Sequence, residues 1–189
     1  MGDINYKKYF LRTLIVALVI SAVIGIVIFL VGDFGETEIK LLFTTLAIGG
    51  FSLTGLSSST IHNRAGFRSF ALIGMLISVL AFLTTIITIW DIIDPDYMWQ
   101  TVLIFIILSV SIAHISLLFQ ISPKTNKVKY ALIGTIVFIS IVALMLIKST
   151  INKFEENEFY FRLLGVFAIL DVLGTIATPI LNRITEKKE

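Results

Sequence analysis

The sequence predicts an all-α integral membrane protein, a bundle of six transmembrane helices joined by short loops and forming a single domain over residues 1–189. Three observations predict it. Of 189 residues, 57% are hydrophobic and only 15% charged, whereas a soluble domain carries about 25% charged residues. Too few polar groups remain to cover a water-facing surface, which excludes a soluble enzyme, a nucleic-acid-binding module and a disordered regulator. Six apolar runs, at 10–31, 39–61, 70–90, 98–119, 130–147 and 159–181, occupy about two thirds of the chain, and each approaches the roughly 20 residues that cross about 30 Å of hydrocarbon. The runs are solidly apolar rather than alternating at every second residue, which argues against a transmembrane barrel.

The first span, 10–31, follows Lys7, Lys8 and Tyr9. It is longer than a signal-peptide core of about 7–15 residues and lacks a small-x-small cleavage site near its end, so it reads as a retained signal anchor. Met1-Gly2 opens like a myristoylation site, but Tyr6 stands where Ser or Thr is wanted. Ala17, Ser21 and Gly25 form a small-residue stripe at a spacing of four, which permits close helix–helix approach within the chain or onto a partner subunit.

The second span carries a polar, small-residue stripe of Ser52, Gly55 and Ser59. The third ends at Trp90, before a loop with Asp91, Asp94, Pro95 and Asp96. Those three carboxylates are weak candidates for a divalent cation, and a solvated loop is the better reading. The fourth span places Ser111 and His114 on one face and is followed by Pro123, which would stop it. The fifth opens with Lys129 and Tyr130. The sixth holds Asp171, an acidic group within the span itself, with Gly174, Thr175, Thr178 and Asn182 on the same helical stripe and Pro179 within it.

Loop charge gives the orientation. Eleven of the fifteen basic residues fall in the N-terminus, loops 62–69 and 120–129, and the C-terminal tail, against four (Lys40, Lys148, Lys153 and Arg162) on the other side. The positive-inside bias then places both termini in the cytoplasm of a multi-pass cell-membrane protein. Nine of the thirteen acidic residues lie outside. Trp90, Tyr97, Trp99 and Tyr160 near the outer boundary, and Tyr9 and Tyr130 near the inner one, occupy aromatic-belt positions. The expected surroundings are the bilayer, with anionic headgroups at the basic loops.

An internal repeat is suggested at about 60 residues. Ala71-Leu72-Ile73-Gly74 and Ala131-Leu132-Ile133-Gly134 open the third and fifth spans, and Ser52 and Gly55 align with Asp171 and Gly174 at a separation of 119. The arrangement would be three pseudo-repeated hairpins, a form seen in transporters. Chance matching of apolar helices with a small alphabet explains the same text.

Asp171 is the most informative residue. A charge at the bilayer centre costs at least about 2.5–3.5 kcal/mol on insertion scales, so Asp171 is expected to face the bundle interior. If the even-numbered helices meet, Asp171, Ser52 and Ser111 share a depth, with His114 one turn away and Thr175 beside them. Such a hydroxyl–carboxyl–imidazole cluster could bind a cation or pass protons. The plainer reading is helix packing, in which Ser, Thr, Asn, Asp and neutral His exchange hydrogen bonds across helices, and Gly55 and Gly174 supply close contact.

No catalytic constellation survives inspection. The chain has no Cys, which excludes disulfides, thiolate metal sites and thiol chemistry, and it carries no phosphate loop, dinucleotide fingerprint or zincin motif. Gly50-Phe51-Ser52 with Ala113-His114 resembles the Ser–His dyad of rhomboid intramembrane proteases, but the other residues of that family's site are not apparent. No cofactor, no nucleic-acid partner and no enzymatic activity are expected. The expectation is a subunit or scaffold of a membrane complex, with a partner membrane subunit or a second copy as the partner. The alternative is a small transporter or channel, cation- or proton-coupled or a substrate-binding membrane subunit, using the cluster around Asp171. Six helices in this length also resemble the substrate-capture components of energy-coupling-factor transporters, in size alone.

Overall fold

A computed structural model describes residues 6–31, 35–64, 66–93 and 95–186. Asp94 and the Met1-Gly2 opening lie outside the described residues, as do the side chains of Asp96 and Tyr97. The described chain is helical: α1 (Tyr6–Val31), α2 (Glu36–Ser59), α3 (Arg68–Ile89), α4 (Pro95–Leu118), α5 (Asn126–Ile151) and α6 (Glu158–Glu186). All six are long and apolar enough to cross a membrane, which fits a multi-pass membrane protein.

Each helix starts before the apolar span that predicts it, and α2, α3 and α4 stop one or two residues short of its end. α2 starts at Glu36 rather than 39, because Glu36 and Glu38 occupy its first turn, where carboxylates favour the positive end of the helix dipole. α5 continues through Lys148, Ser149 and Thr150 to Ile151. It stops in a Schellman arrangement, with Lys153 N–H on the Thr150 carbonyl at 3.1 Å and Phe154 N–H on the Ser149 carbonyl at 2.7 Å. α3 ends the same way, through Asp91 N–H on Thr88 at 3.2 Å and Ile92 N–H on Ile87 at 3.1 Å. The residue after the C-cap in this motif is left-handed and usually Gly. Here it is Asp91 (φ 50°) and Lys153 (φ 52°), with Phe154 also at φ 62°.

The chain divides into two compact units, Met1–Ala113 and His114–Glu189, with the division inside α4. In the first, α1 packs on α2 and α2 on α3. Its interior is rich in small side chains, with Ala17, Ala71, Ala81, Ser58, Ser78 and Ser109 all buried, alongside Ile61, Met75 and Val102. In the second, α5 packs on α6, and Leu118, Leu132 and Ile139 form an apolar cluster flanked by Ile115, Ile121 and Ile136. Large aliphatic side chains instead point outward, as with Leu18 (59% exposed) on α1 and Ile169 (68%) on α6.

Glycines mark the tightest crossings. A Cβ on Gly55 would strike the Phe10 ring, and one on Gly174 would strike the Thr135 hydroxyl. A Cβ on Gly74 would lie 2.7 Å from both Ile112 Cγ2 and Ser58 Oγ, whereas one on Gly134 would meet nothing within 4 Å. The repeated Ala-Leu-Ile-Gly text therefore sits in two different packing environments. By contrast, the aligned pair Gly55 and Gly174 each receive a side chain from the preceding helix.

Candidate functional site

The residues singled out in α6 and α4 meet in the second unit. Asp171 and Thr175 are one turn apart on α6, and Thr175 Oγ1 donates to Asp171 Oδ1 at 3.2 Å. His114 Nε2 on α4 lies 2.9 Å from the same Thr175 oxygen. A threonine hydroxyl has one hydrogen. With that hydrogen on Asp171, the oxygen accepts from His114, which requires the imidazole to carry its hydrogen on Nε2. The three side chains form one directed chain, imidazole to hydroxyl to carboxyl, and all three are partly buried. Among the described residues, neither His114 Nδ1 nor Asp171 Oδ2 has a recorded partner.

Thr175 is unusual in a second respect. Threonine in a helix commonly bonds back to the carbonyl one turn earlier, as Thr178 does to Gly174 at 2.7 Å. Thr175 reaches the Asp171 side chain instead. Its own carbonyl also lacks the usual donor, because position 179 is Pro, within a helix that continues to Glu186. One turn along, Thr178 Oγ1 meets Thr135 Oγ1 of α5 at 3.3 Å, and Thr135 donates to the Ala131 carbonyl at 2.9 Å. The stripe predicted on α6 thus serves two neighbours, Thr175 toward His114 and Gly174 with Thr178 toward Thr135. Asn182 Oδ1, one turn further, is buried without a hydrogen-bond partner among the described residues.

Ser52 and Gly55 belong to the first unit. Gly55 is the seat of the Phe10 ring. Ser52 is 5% exposed and lines a partly open cavity of about 150 Å³ between α1, α2 and α3. Thr175, Asp171, His114 and Ser111 are not among the residues that line it. Ser111 is partly buried on α4. Of the α1 stripe, Ala17 is 2% exposed and lies beside Gly49 of α2, 3.9 Å from where a Cβ there would stand. Ser21 is partly buried, and Gly25 faces open space.

Two polar clusters carried no sequence signal. Thr54 of α2, Ser78 of α3 and Ser109 of α4 bring three hydroxyls together. Thr54 donates to Ser78 at 3.0 Å, Ser109 donates to Thr54 at 2.9 Å, and Ser78 lies 3.1 Å from Ser109 and donates to the Gly74 carbonyl at 2.9 Å. Serines are common in apolar helices, and nothing in their spacing separates these from the rest. The second cluster joins the far ends of α2 and α3. Lys40 Nζ is 2.7 Å from Glu36 and 2.6 Å from Asp91, and Trp90 Nε1 donates to Thr44 Oγ1 at 3.1 Å. The left-handed backbone at Asp91 turns its carboxylate onto Lys40. Asp91, one of the three cation candidates, is thereby engaged by an ammonium group, and among the described residues no group of three His, Cys, Asp or Glu could hold a metal ion.

Comparison of the chain with protein-family models, with curated proteins and with solved structures returns no match.

Proposed function

We propose that the chain is a multi-pass protein of the cell membrane, with both termini cytoplasmic, that acts without catalysis as a subunit or scaffold of a membrane complex. The observation that carries this reading is the use of polar side chains between helices. Thr54, Ser78 and Ser109 bond α2, α3 and α4 to one another. Thr135 and Thr178 bring their hydroxyls within 3.3 Å of each other between α5 and α6, and His114 and Thr175 bond α4 to α6. Small residues and hydroxyls at helix contacts, with large aliphatic groups turned outward, is how helices associate in lipid, where water offers no hydrophobic drive between them. The bundle's exposed aliphatic side chains present an apolar surface to lipid and to partner helices. Its basic ends would face anionic headgroups. Cross-linking in native membranes tests the reading. Recovery of a defined partner subunit or a self-associated species is expected, and quantitative recovery of uncross-linked monomer overturns it.

One observation favours a second reading, a proton-coupled transporter. The Asp171–Thr175–His114 chain places a hydroxyl between an acid and an imidazole. Such a hydroxyl can exchange both its hydrogen bonds in concert and so carry a proton from one end to the other, as Asp and His do in pumps. Proton-driven flux in reconstituted vesicles, wild type against Asp171→Asn, separates the two. Absence of flux in the wild type under every gradient removes the transporter reading, and equal flux in both proteins removes Asp171 from it.

A further inference from the structure

The cavity in the first unit is partly open and walled mainly by aromatic and aliphatic side chains. Its volume is about 150 Å³, and a cavity of about this size with apolar walls accepts a molecule as large as benzene. Its walls include the rings of Phe10, Phe51 and Phe82, the latter two edge-to-face with centroids 6.4 Å apart. Three hydroxyls reach it, from Thr13, Ser52 and Ser78. Two have already given up their hydrogens: Thr13 to the Tyr9 carbonyl at 3.0 Å, and Ser78 to the Gly74 carbonyl at 2.9 Å. Ser52 has not. It is 5% exposed, and among the described residues its hydroxyl has no hydrogen-bond partner. The hydroxyl belongs to the wall of the partly open cavity, and an acyl chain lying there would offer it no hydrogen bond.

We propose that this cavity binds a small lipophilic phenol, its ring among the three phenylalanines and its oxygen on the Ser52 hydroxyl. Ser52 either donates to the phenol oxygen or accepts its hydrogen, and no covalent step is involved. The apolar walls favour a ring, and Ser52, the one of the three hydroxyls whose hydrogen is uncommitted among the described residues, favours one that carries an oxygen. Supply of the ligand from the bilayer rests on the membrane reading above. The binding itself does not, because it is measured on the isolated protein and without a partner.

The test is ligand-observed fluorine NMR on the full chain in detergent micelles, with 4-fluorophenol and fluorobenzene as probes and empty micelles as the background. Saturable binding of 4-fluorophenol, displaced by unlabelled phenol, is expected. Val79 also lines the cavity, and Val79→Phe should fill it and abolish binding of both probes. Ser52→Ala should weaken 4-fluorophenol about fivefold, the scale of one net hydrogen bond, and leave fluorobenzene unchanged. A thermal unfolding curve for each variant confirms that the protein tested is folded. Three results overturn the proposal: no saturable 4-fluorophenol binding above the micelle background, binding that survives Val79→Phe, or an equal loss of both probes in Ser52→Ala. A failure here leaves the cross-linking result untouched, and the reverse also holds.

Discussion

Two glycines on α6 respond oppositely to one added methyl. In a helix interior Ala is favoured over Gly by about 0.8–1 kcal/mol. At Gly165 a Cβ would meet nothing within 4 Å, so Gly165→Ala should gain up to about 1 kcal/mol. At Gly174 the new Cβ would overlap Thr135 Oγ1 and stand 3.1 Å from both its Cβ and Cγ2. Thr135 is 2% exposed and its hydroxyl is held on the Ala131 carbonyl, so it has little room to retreat. Overpacking of this kind costs about 1–3 kcal/mol. Less the helix-propensity gain of about 0.8–1 kcal/mol, Gly174→Ala should destabilise by up to about 2 kcal/mol. For a protein of this size 1 kcal/mol moves Tm by about 2–4 °C. Thermal unfolding in micelles should therefore place the two variants on opposite sides of wild type. Thr135→Ala in the Gly174→Ala background should recover most of the loss, as contacting residues couple in a double-mutant cycle. Equal shifts for the two glycine variants, or no rescue by Thr135→Ala, would refute the packing of α5 on α6 described above.

Three further outcomes follow from the hydrogen bonds and the helix ends. Thr175→Val strips His114 and Asp171 of their shared partner and should cost about 1–2 kcal/mol at two interhelical-type bonds, read as a lowered Tm; an unchanged Tm would show that the chain contributes nothing. Ser109→Ala removes one of the three clustered hydroxyls and should cost about 1 kcal/mol, and combining it with Thr54→Val should cost less than the sum of the two single variants, which denaturation of all three measures. Lys153→Gly removes a side chain from a left-handed position (φ 52°) and should stabilise by about 1 kcal/mol, visible as a Tm raised by a few degrees; a lower Tm would mean that the Lys153 side chain makes a contact worth more than the strain.

The number and order of helices are legible because membrane-length apolar runs have no other use in a chain this poor in charge. Their ends are less so, because a helix ends where its backbone is capped rather than where its hydropathy falls. α5 outlasts its apolar span by four residues at its C-terminal end, as Lys148, Ser149 and Thr150 remain helical until the cap at Asn152. Within the candidate site, the Asp171–Thr175 pair is a property of one helix and is readable from its spacing of four. The arrival of His114 at Thr175 is a tertiary fact that the sequence suggested through a shared polar stripe. The placing of Ser52 with Asp171 rested on depth alone. Depth fixes position along a helix axis but not azimuth around it, and the Ser52 side chain lines a cavity bounded by α1, α2 and α3. Ser78 and Ser109 carry no distinguishing sequence signal, since one hydroxyl in an apolar run looks like any other until a second stands 3.1 Å away.

The two principal polar networks differ in topology, and the difference bears on what each can do. The hydroxyls of Thr54, Ser78 and Ser109 hold three hydrogens, which run from Ser109 to Thr54, from Thr54 to Ser78 and from Ser78 to the Gly74 carbonyl. The run ends on the backbone, so it can hold helices together and can do little else. The chain through Thr175 is open at both ends, at Asp171 Oδ2 and His114 Nδ1, neither of which has a recorded partner among the described residues. An open chain can take a proton at one end and release it at the other. It can equally be a plain helix-to-helix tie. Asp171→Asn distinguishes the two uses because it keeps an oxygen to accept from Thr175 and removes the acid. A tie should keep nearly all its stability in that variant and lose it in Thr175→Val, whereas a relay should lose proton flux in both.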